Sequence, residues 1–251
     1  MLRGVCSALI ACLGTTLVFS AIATADWSGQ DPASNYPLGD LPLACSSAPI
    51  GEKCVNAGVY YLDRARANGG LRPYKLPARF PAMPPARQMF ILANLDRIAY
   101  GLPPMTGLTV KLNIDALKGV RQAYDPSPSD TSHMRAWTAN WATGYANAPM
   151  AYEAWMWDDG PGSSNIDCTS SNRSACWAHR HGVLWRFGSG HVLAMGAAAG
   201  FGPSRQRAYT TLLVGGDRPG YAAKYAYTWR KAVADGAGRN AYDPGKPSLA
   251  R

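Results

Sequence analysis

The spacing of apolar residues changes character at Gly188-Ser189-Gly190, and no other feature limits the possible folds as strongly. Before that point apolar residues recur at helical intervals. Met89, Leu92, Leu95 and Ile98 return every three residues after Pro84-Pro85 and place one apolar stripe on a helix face. Gly101 and Pro103-Pro104 then stop that helix. A second helix is expected over residues 109–124, with Ile114, Leu117, Val120 and Tyr124 inward and Asp125-Pro126 as terminator. A third starts at Pro149, a residue suited to the first helical position, and ends at Gly160. A fourth occupies "CWAHRHGVLWRFG", Cys176 to Gly188. Beyond it, "HVLAMGAAAG" and "AYTTLLVGG" are short runs flanking a Gly202-Pro203 loop, and they read as a hairpin. Helices first and a small antiparallel sheet afterwards define an α+β layered domain.

The N-terminus reads as an address rather than as structure. Arg3 precedes an apolar run over residues 5–22, and Ala23-Thr24-Ala25 offers an A-x-A cleavage site before Asp26. Residues 1–25 therefore read as a secretory signal peptide, to be removed before fold reasoning. The run is short and interrupted by Gly and Thr, whereas an anchor needs about 20 predominantly apolar residues. No transmembrane segment is expected after cleavage, and the protein is expected to be secreted, extracellular or associated with the cell envelope.

Cysteine usage agrees with export. Cys6 and Cys12 leave with the signal, so the mature chain keeps Cys45, Cys54, Cys168 and Cys176. In an oxidising compartment four thiols read as disulfides, with three possible pairings. The short-loop pairing Cys45–Cys54 and Cys168–Cys176 is expected, because each pair brackets a polar, turn-rich segment. About 225 residues remain after cleavage, enough for one sizeable core plus extensions. Residues 26–86 form a Pro/Gly-rich extension with one short helix inside "CVNAGVYYLDRARANGG", and residues 217–251 form an aromatic and polar tail. The net charge is +9, but the basic residues are scattered, so no nucleic-acid partner is expected.

Several segments, in order, resemble one family. "LDRIAYGLPPMTGL", "TANWATGYANAPMAYEAWMW", "CWAHRHGVL" and "YTTLLVGG" are similar to elements of the CAP superfamily (cysteine-rich secretory, antigen 5 and pathogenesis-related 1 proteins) in its bacterial SCP-like branch. The resemblance covers roughly residues 87–216. It implies an α-β-α sandwich whose cavity is lined by two histidines and two acidic residues able to hold a divalent metal. Carried over by position, His179 matches the histidine of the family's His-Arg element, Asp158 a carboxylate following the tryptophan helix, and His133 the second histidine. Gly182 and Val183 replace two residues of the His-Arg element. "TAN" stands where the family has Gly-Glu-Asn, so Ala139 replaces the remaining glutamate.

The resemblance thus implies a degenerate site. His133, Asp158 and His179 are the candidate zinc or other divalent-cation ligands, a set that water could complete to a tetrahedral shell. His191 and Asn140 are secondary candidates for lining the cavity. His179 and His181 lie two positions apart and do not share a helix face, so they are not expected to bind one metal. Glu153 is expected to point away from Asp158, and Asp158-Asp159-Gly160 reads as a solvated turn. Most of the tryptophans are expected in the core.

Other enzyme classes fit poorly. There is no Gly-x-Ser-x-Gly elbow, no His-Glu-x-x-His motif and no phosphate-binding Gly-Lys-Ser/Thr loop. Three functions are compatible with the sequence. The first is a non-catalytic binding or interaction module at or outside the envelope, with a lipid, a cell-wall glycan or a protein as partner. The second is a zinc-dependent hydrolase using His133, Asp158 and His179. The third is an envelope scaffold without a small ligand.

Overall fold

The computed structural model of the chain describes residues 30–216 and 224–239. The signal peptide and most of the C-terminal tail named above lie outside these residues. Within them the chain is α+β, with seven helices and a five-stranded mixed sheet. The strands are β1 (Gly107–Thr109), β2 (Met134–Thr143), β3 (Val192–Phe201), β4 (Arg207–Gly216) and β5 (Tyr225–Thr228), in the order β2-β4-β3-β1-β5.

The hairpin expected from the sequence is β3 and β4, in register from Val192 opposite Gly216 to Phe201 opposite Arg207. Strand β3 is buried on both faces, which is why it reads as one apolar run without polar alternation. Leu193, Met195 and Leu213 join the main core with Met89, Phe90 and Leu92 of α3 (Pro85–Ala99). Ala194, Leu212 and Val214 face the other way, onto Leu112 of α4 (Val110–Gln122). Helices therefore cover both faces. A Cβ on Gly196 would lie 2.2 Å from the Leu112 carbonyl oxygen, so only glycine lets α4 cross β3 this closely.

The buried face of α4 differs from the one expected. Leu112, Asp115, Ala116, Gly119 and Val120 are buried, while Ile114 and Tyr124 are exposed. A helix lying directly on a strand needs small residues at the contact, and Ala116, packed with Ala198 and Ala208, serves better there than Ile114, while Gly119 leaves room for the chain that turns back over it at Tyr124 and Pro126. On α3, Met89 and Leu92 are buried as expected, but Ile98 is exposed at the last turn.

The stretch before residue 87 carries more structure than one short helix in an irregular extension. Helix α1 (Ala44–Ser47) is brief, but α2 (Glu52–Asn68) runs for 17 residues. Its Val55, Val59 and Leu62 share the main core with Trp155 and Trp157 of α5 (Ala148–Trp157). Arg66 of α2 pairs with the fully buried Asp96 of α3. Tyr74 and Tyr152 also donate to Asp96, at 2.6 and 2.8 Å. A buried carboxylate with this many donors is satisfied, and removing one partner of such a pair typically costs about 3–5 kcal/mol.

Several elements depart from expectation, among them β1, β5 and the helix that follows β5. Strand β2 forms between the second and third expected helices, a stretch to which the sequence assigned no element, and it pairs with β4 along its length at the sheet edge. Helix α6 (Ala178–Val183) is much shorter than Cys176 to Gly188, because Trp177 is left-handed at its start and Gly188 lies in a separate turn. Helix α7 (Trp229–Ala234) follows β5. Disulfides join Cys45 to Cys54 and Cys168 to Cys176. No helix among the described residues is long and apolar enough to cross a membrane.

Candidate functional site

A cleft of about 480 Å³ opens where α4 ends, β2 ends and α5 leads toward α6. Each wall has a local cause. Thr109 caps α4 by accepting from the Leu112 amide at 3.1 Å, and Ala123 ends the helix in a left-handed conformation. That turn delivers Tyr124 and Asp125 to the cleft. Strand β2 contributes Trp141, whose neighbours alternate in and out along the pleat. Asn147 caps α5 by accepting from Met150 N at 3.2 Å, and its amide donates to the Cys54 carbonyl at 3.0 Å. The first disulfide thereby anchors the helix that carries Trp155 and Asp158 into the cleft. Trp155 donates to the Trp141 carbonyl at 3.1 Å, which fixes one indole and leaves its body as wall.

The loop after α5 supplies the buried charge. Asp159 is 1 % exposed, not part of a solvated turn. One oxygen meets His179 Nδ1 and Asn165 Nδ2, each at 2.7 Å, and the other accepts from the His179 amide at 3.0 Å. The Asp159 carbonyl accepts from Trp177 N at 2.9 Å, so the disulfide-closed segment 168–176 folds back onto this residue. Burial disfavours the His179 imidazolium, but the hydrogen bond and charge of Asp159, with Asp125 and Asp167 nearby, raise its pKa above the ordinary histidine value.

The other carboxyls shift in the same direction. Burial first, then the negative charge of Asp159, raises Asp158. Asp125 is raised chiefly by burial, with Asp167 and Asp159 adding, while His179 and the Trp141 backbone amide act against the shift. Glu153 points away from the cleft into the protein. Its Oε1 is buried without a partner, and burial together with Asp158 pushes it up to about 9, so it is a neutral acid at pH 7.

Of the sequence candidates, only Asp158 and His179 line the cleft. His133 is exposed just before β2, whose first residue, Met134, pairs with Gly216, whereas Trp141 pairs with Thr210. Six residues of strand at about 3.3 Å each separate that end from the cleft by about 20 Å. His191 precedes Val192, which also pairs with Gly216, so it too lies at the far end. The zinc set His133, Asp158 and His179 is therefore not assembled. Among the described residues no three His, Cys, Asp or Glu side chains converge as metal ligands. Asn140 stands beside the cleft, where its amide donates to the His179 carbonyl at 3.1 Å and holds α6 against β2. Ala139 packs with the Leu112 cluster on the α4 side of the sheet.

His179 and His181 take different partners. His181 Nε2 meets Asp31 at 2.8 Å, tying the N-terminal segment to α6, while His179 turns to Asp159. Gly182 fits because a Cβ there would meet Asn140 Oδ1 at 2.8 Å. Cys176 is bridged to Cys168, which removes it as a thiol nucleophile. Trp155, Trp157 and Trp177 are buried as expected of core residues, but Trp137 is exposed and Trp141 lines the cleft.

Sequence reasoning missed Asp125, Trp141 and Asp159. Asp125 stood as a helix terminator and Asp159 as a turn residue, roles that aspartate fills often. The available signal was His179 itself, since a working histidine needs an orienting acceptor for its second nitrogen. No family model, curated protein or solved structure matches the chain.

Proposed function

We propose that this protein is a secreted binding module of CAP/SCP-like type that holds a small ligand in the cleft beside His179, without catalysing a reaction on it. The observation that carries the proposal is the cleft itself. At about 480 Å³ it falls within the range of small-molecule sites, and it sets apolar walls from Trp141 and Trp155 around a few fixed polar groups. The order of elements supports the family reading. An opening helix ends in a Gly-Leu-Pro-Pro turn, a hairpin closes a sheet covered by helices on both faces, and the His-Arg element stands at the cleft. That arrangement is compatible with an α-β-α sandwich. The two disulfides support an oxidising, extracytoplasmic setting.

Binding is favoured over hydrolysis by what surrounds His179. The nearby Ser164 hydroxyl is bonded to Tyr145 at 3.0 Å, and His133, proposed to complete a zinc site, lies at the other end of the sheet from Asp158 and His179. A small ligand also suits the cleft better than a protein surface would.

The test is a ligand-observed NMR fragment screen on the mature protein and on S164W. Ser164 is exposed at the rim, so a tryptophan there should fill the mouth and leave the fold intact. Fragments should bind the wild type and be lost from S164W at unchanged Tm. An absence of hits, or hits indifferent to S164W, would reject the cleft as the site.

A further inference from the structure

The cleft carries a charge imbalance that defines what it would accept. Asp125, Asp158, Asp159 and Asp167 all line it, and no lysine or arginine among the described residues does, although the chain as a whole is +9. Among the described lining residues His179 is the one side chain able to take up a positive charge near neutral pH, and Asp159 already engages it at 2.7 Å. Asp125 and Asp167 at the exposed mouth and the half-buried Asp158 thus share one cleft, with no lysine or arginine among its described lining residues. The upward shifts of Asp125 and Asp158 reflect burial together with this crowding of like charge.

The walls indicate which cation fits. Zinc or calcium needs several oxygen, nitrogen or sulfur donors converging at about 2.0–2.6 Å, and among the described residues no group of three does so. The lining instead interleaves the carboxylates with Tyr124, Trp141 and Trp155. Aromatic faces attract an organic cation within about 6 Å and at the same time bury its hydrocarbon part. The indole nitrogen of Trp141 is shielded from solvent without an acceptor, so that ring edge gains nothing from water.

We propose that the cleft selects a small organic ammonium, a protonated amine carried on an apolar or aromatic body. The ammonium sits among Asp125, Asp158 and Asp167, and the body lies against Trp141 and Trp155. This inference rests on the reading of the cleft as a ligand site, and it adds the chemical class of the ligand.

Three probes of similar size separate the two ideas: 2-phenylethylamine, 2-phenylethanol and 3-phenylpropionate. Each is titrated into the mature protein at pH 7 by calorimetry, with tryptophan fluorescence as a second readout. The amine should bind at least about tenfold tighter than the alcohol, equivalent to about 1.4 kcal/mol, and the acid least of all. D125N and D158N should each weaken the amine several-fold and leave the alcohol unchanged. Asp125 is exposed at the mouth, so D125N tests the charge without endangering the fold. Equal binding of amine and alcohol would overturn the ammonium inference and leave the ligand cleft standing. Binding of none of the three would overturn both. Amine binding indifferent to D125N combined with D158N, or abolished by equimolar calcium, would also overturn the inference.

Discussion

Replacing Asp159 with asparagine tests the centre of the site most directly. The carboxylate of Asp159 accepts three hydrogen bonds, from His179 Nδ1, the His179 amide and Asn165 Nδ2. With this side chain 2 % exposed and that of His179 18 % exposed, solvent screens the pair little. A hydrogen bond to a charged group contributes about 1.5–3 kcal/mol and a neutral one about 0.5–1.5, so neutralising the acceptor costs about 1 kcal/mol per bond. D159N should therefore destabilise the fold by about 3 kcal/mol, and more if the new amide is forced to face another donor. The loss should depend on pH with a definite sign. His179 has a folded pKa above its unfolded value, so the stabilisation is fully present below about pH 6.5 and is lost as pH rises through the raised folded value. Urea unfolding of both proteins, disulfides intact, should show a wider gap at about pH 6 than at about pH 9. An NMR titration should place the His179 ring above 6.5 in the wild type and lower in D159N. Parallel stability curves across this range, or a wild-type His179 at or below the ordinary value, would refute the reasoning.

Three other perturbations test the surrounding structure. Glu153 is pushed up to about 9, so the wild type should lose stability as pH rises from about 4.5 to about 9, and urea melts of E153Q should show a flatter profile. G182A places a methyl 2.8 Å from Asn140 Oδ1, and the overpacking should cost about 1–3 kcal/mol. The double variant G182A/N140A should lose less than the sum of the single variants in the same melts. Arg97 is fully buried and donates to the carbonyls of Pro103, Val183 and Trp185, and burial lowers its pKa to about 10. R97M strands those three acceptors at about 1 kcal/mol or more each, so calorimetry should record a Tm lower by about 10 °C.

The Arg97 contacts show how the fold's ends meet. They join the turn after α3 to the end of α6 and the residues beyond it, 86 to 88 positions later in the chain. In the sequence Arg97 stands only as one residue of the "LDRIAYGLPPMTGL" segment, with nothing to mark its partners. Which carbonyls it would reach depends on how α3 and α6 are set against each other, and spacing along one strand of chain carries no such information. The same holds for Asp159 and His179, 20 residues apart and joined through a disulfide-closed loop.

Local chemistry was legible where a residue's neighbours in sequence decide its state. The β3–β4 hairpin, the helix from Ala148 to Trp157 and the two short disulfide loops follow from runs of similar residues, caps, and cysteines brought close by short turns. Strand β2 was less legible because an edge strand is half exposed, and its mixed polar and apolar residues look like loop until β4 is there to pair with them. The buried face of α4 was misjudged because helix periodicity fixes which residues share a face, whereas the sheet decides which face can approach closely enough to be covered.

The sequence by itself determined the α+β class, the pairing of short-range cysteines, and that His179 stands on a helix. Only the tertiary structure decided that His133 and His191 lie at the far end of the sheet, that Asp125, Asp158, Asp159 and Asp167 crowd one cleft, and that Trp141 walls it. The physical reason is that a binding site is a convergence of side chains from distant segments. Periodicity and capping act over a few residues, but convergence is set by sheet register and helix packing, which are properties of the whole folded chain.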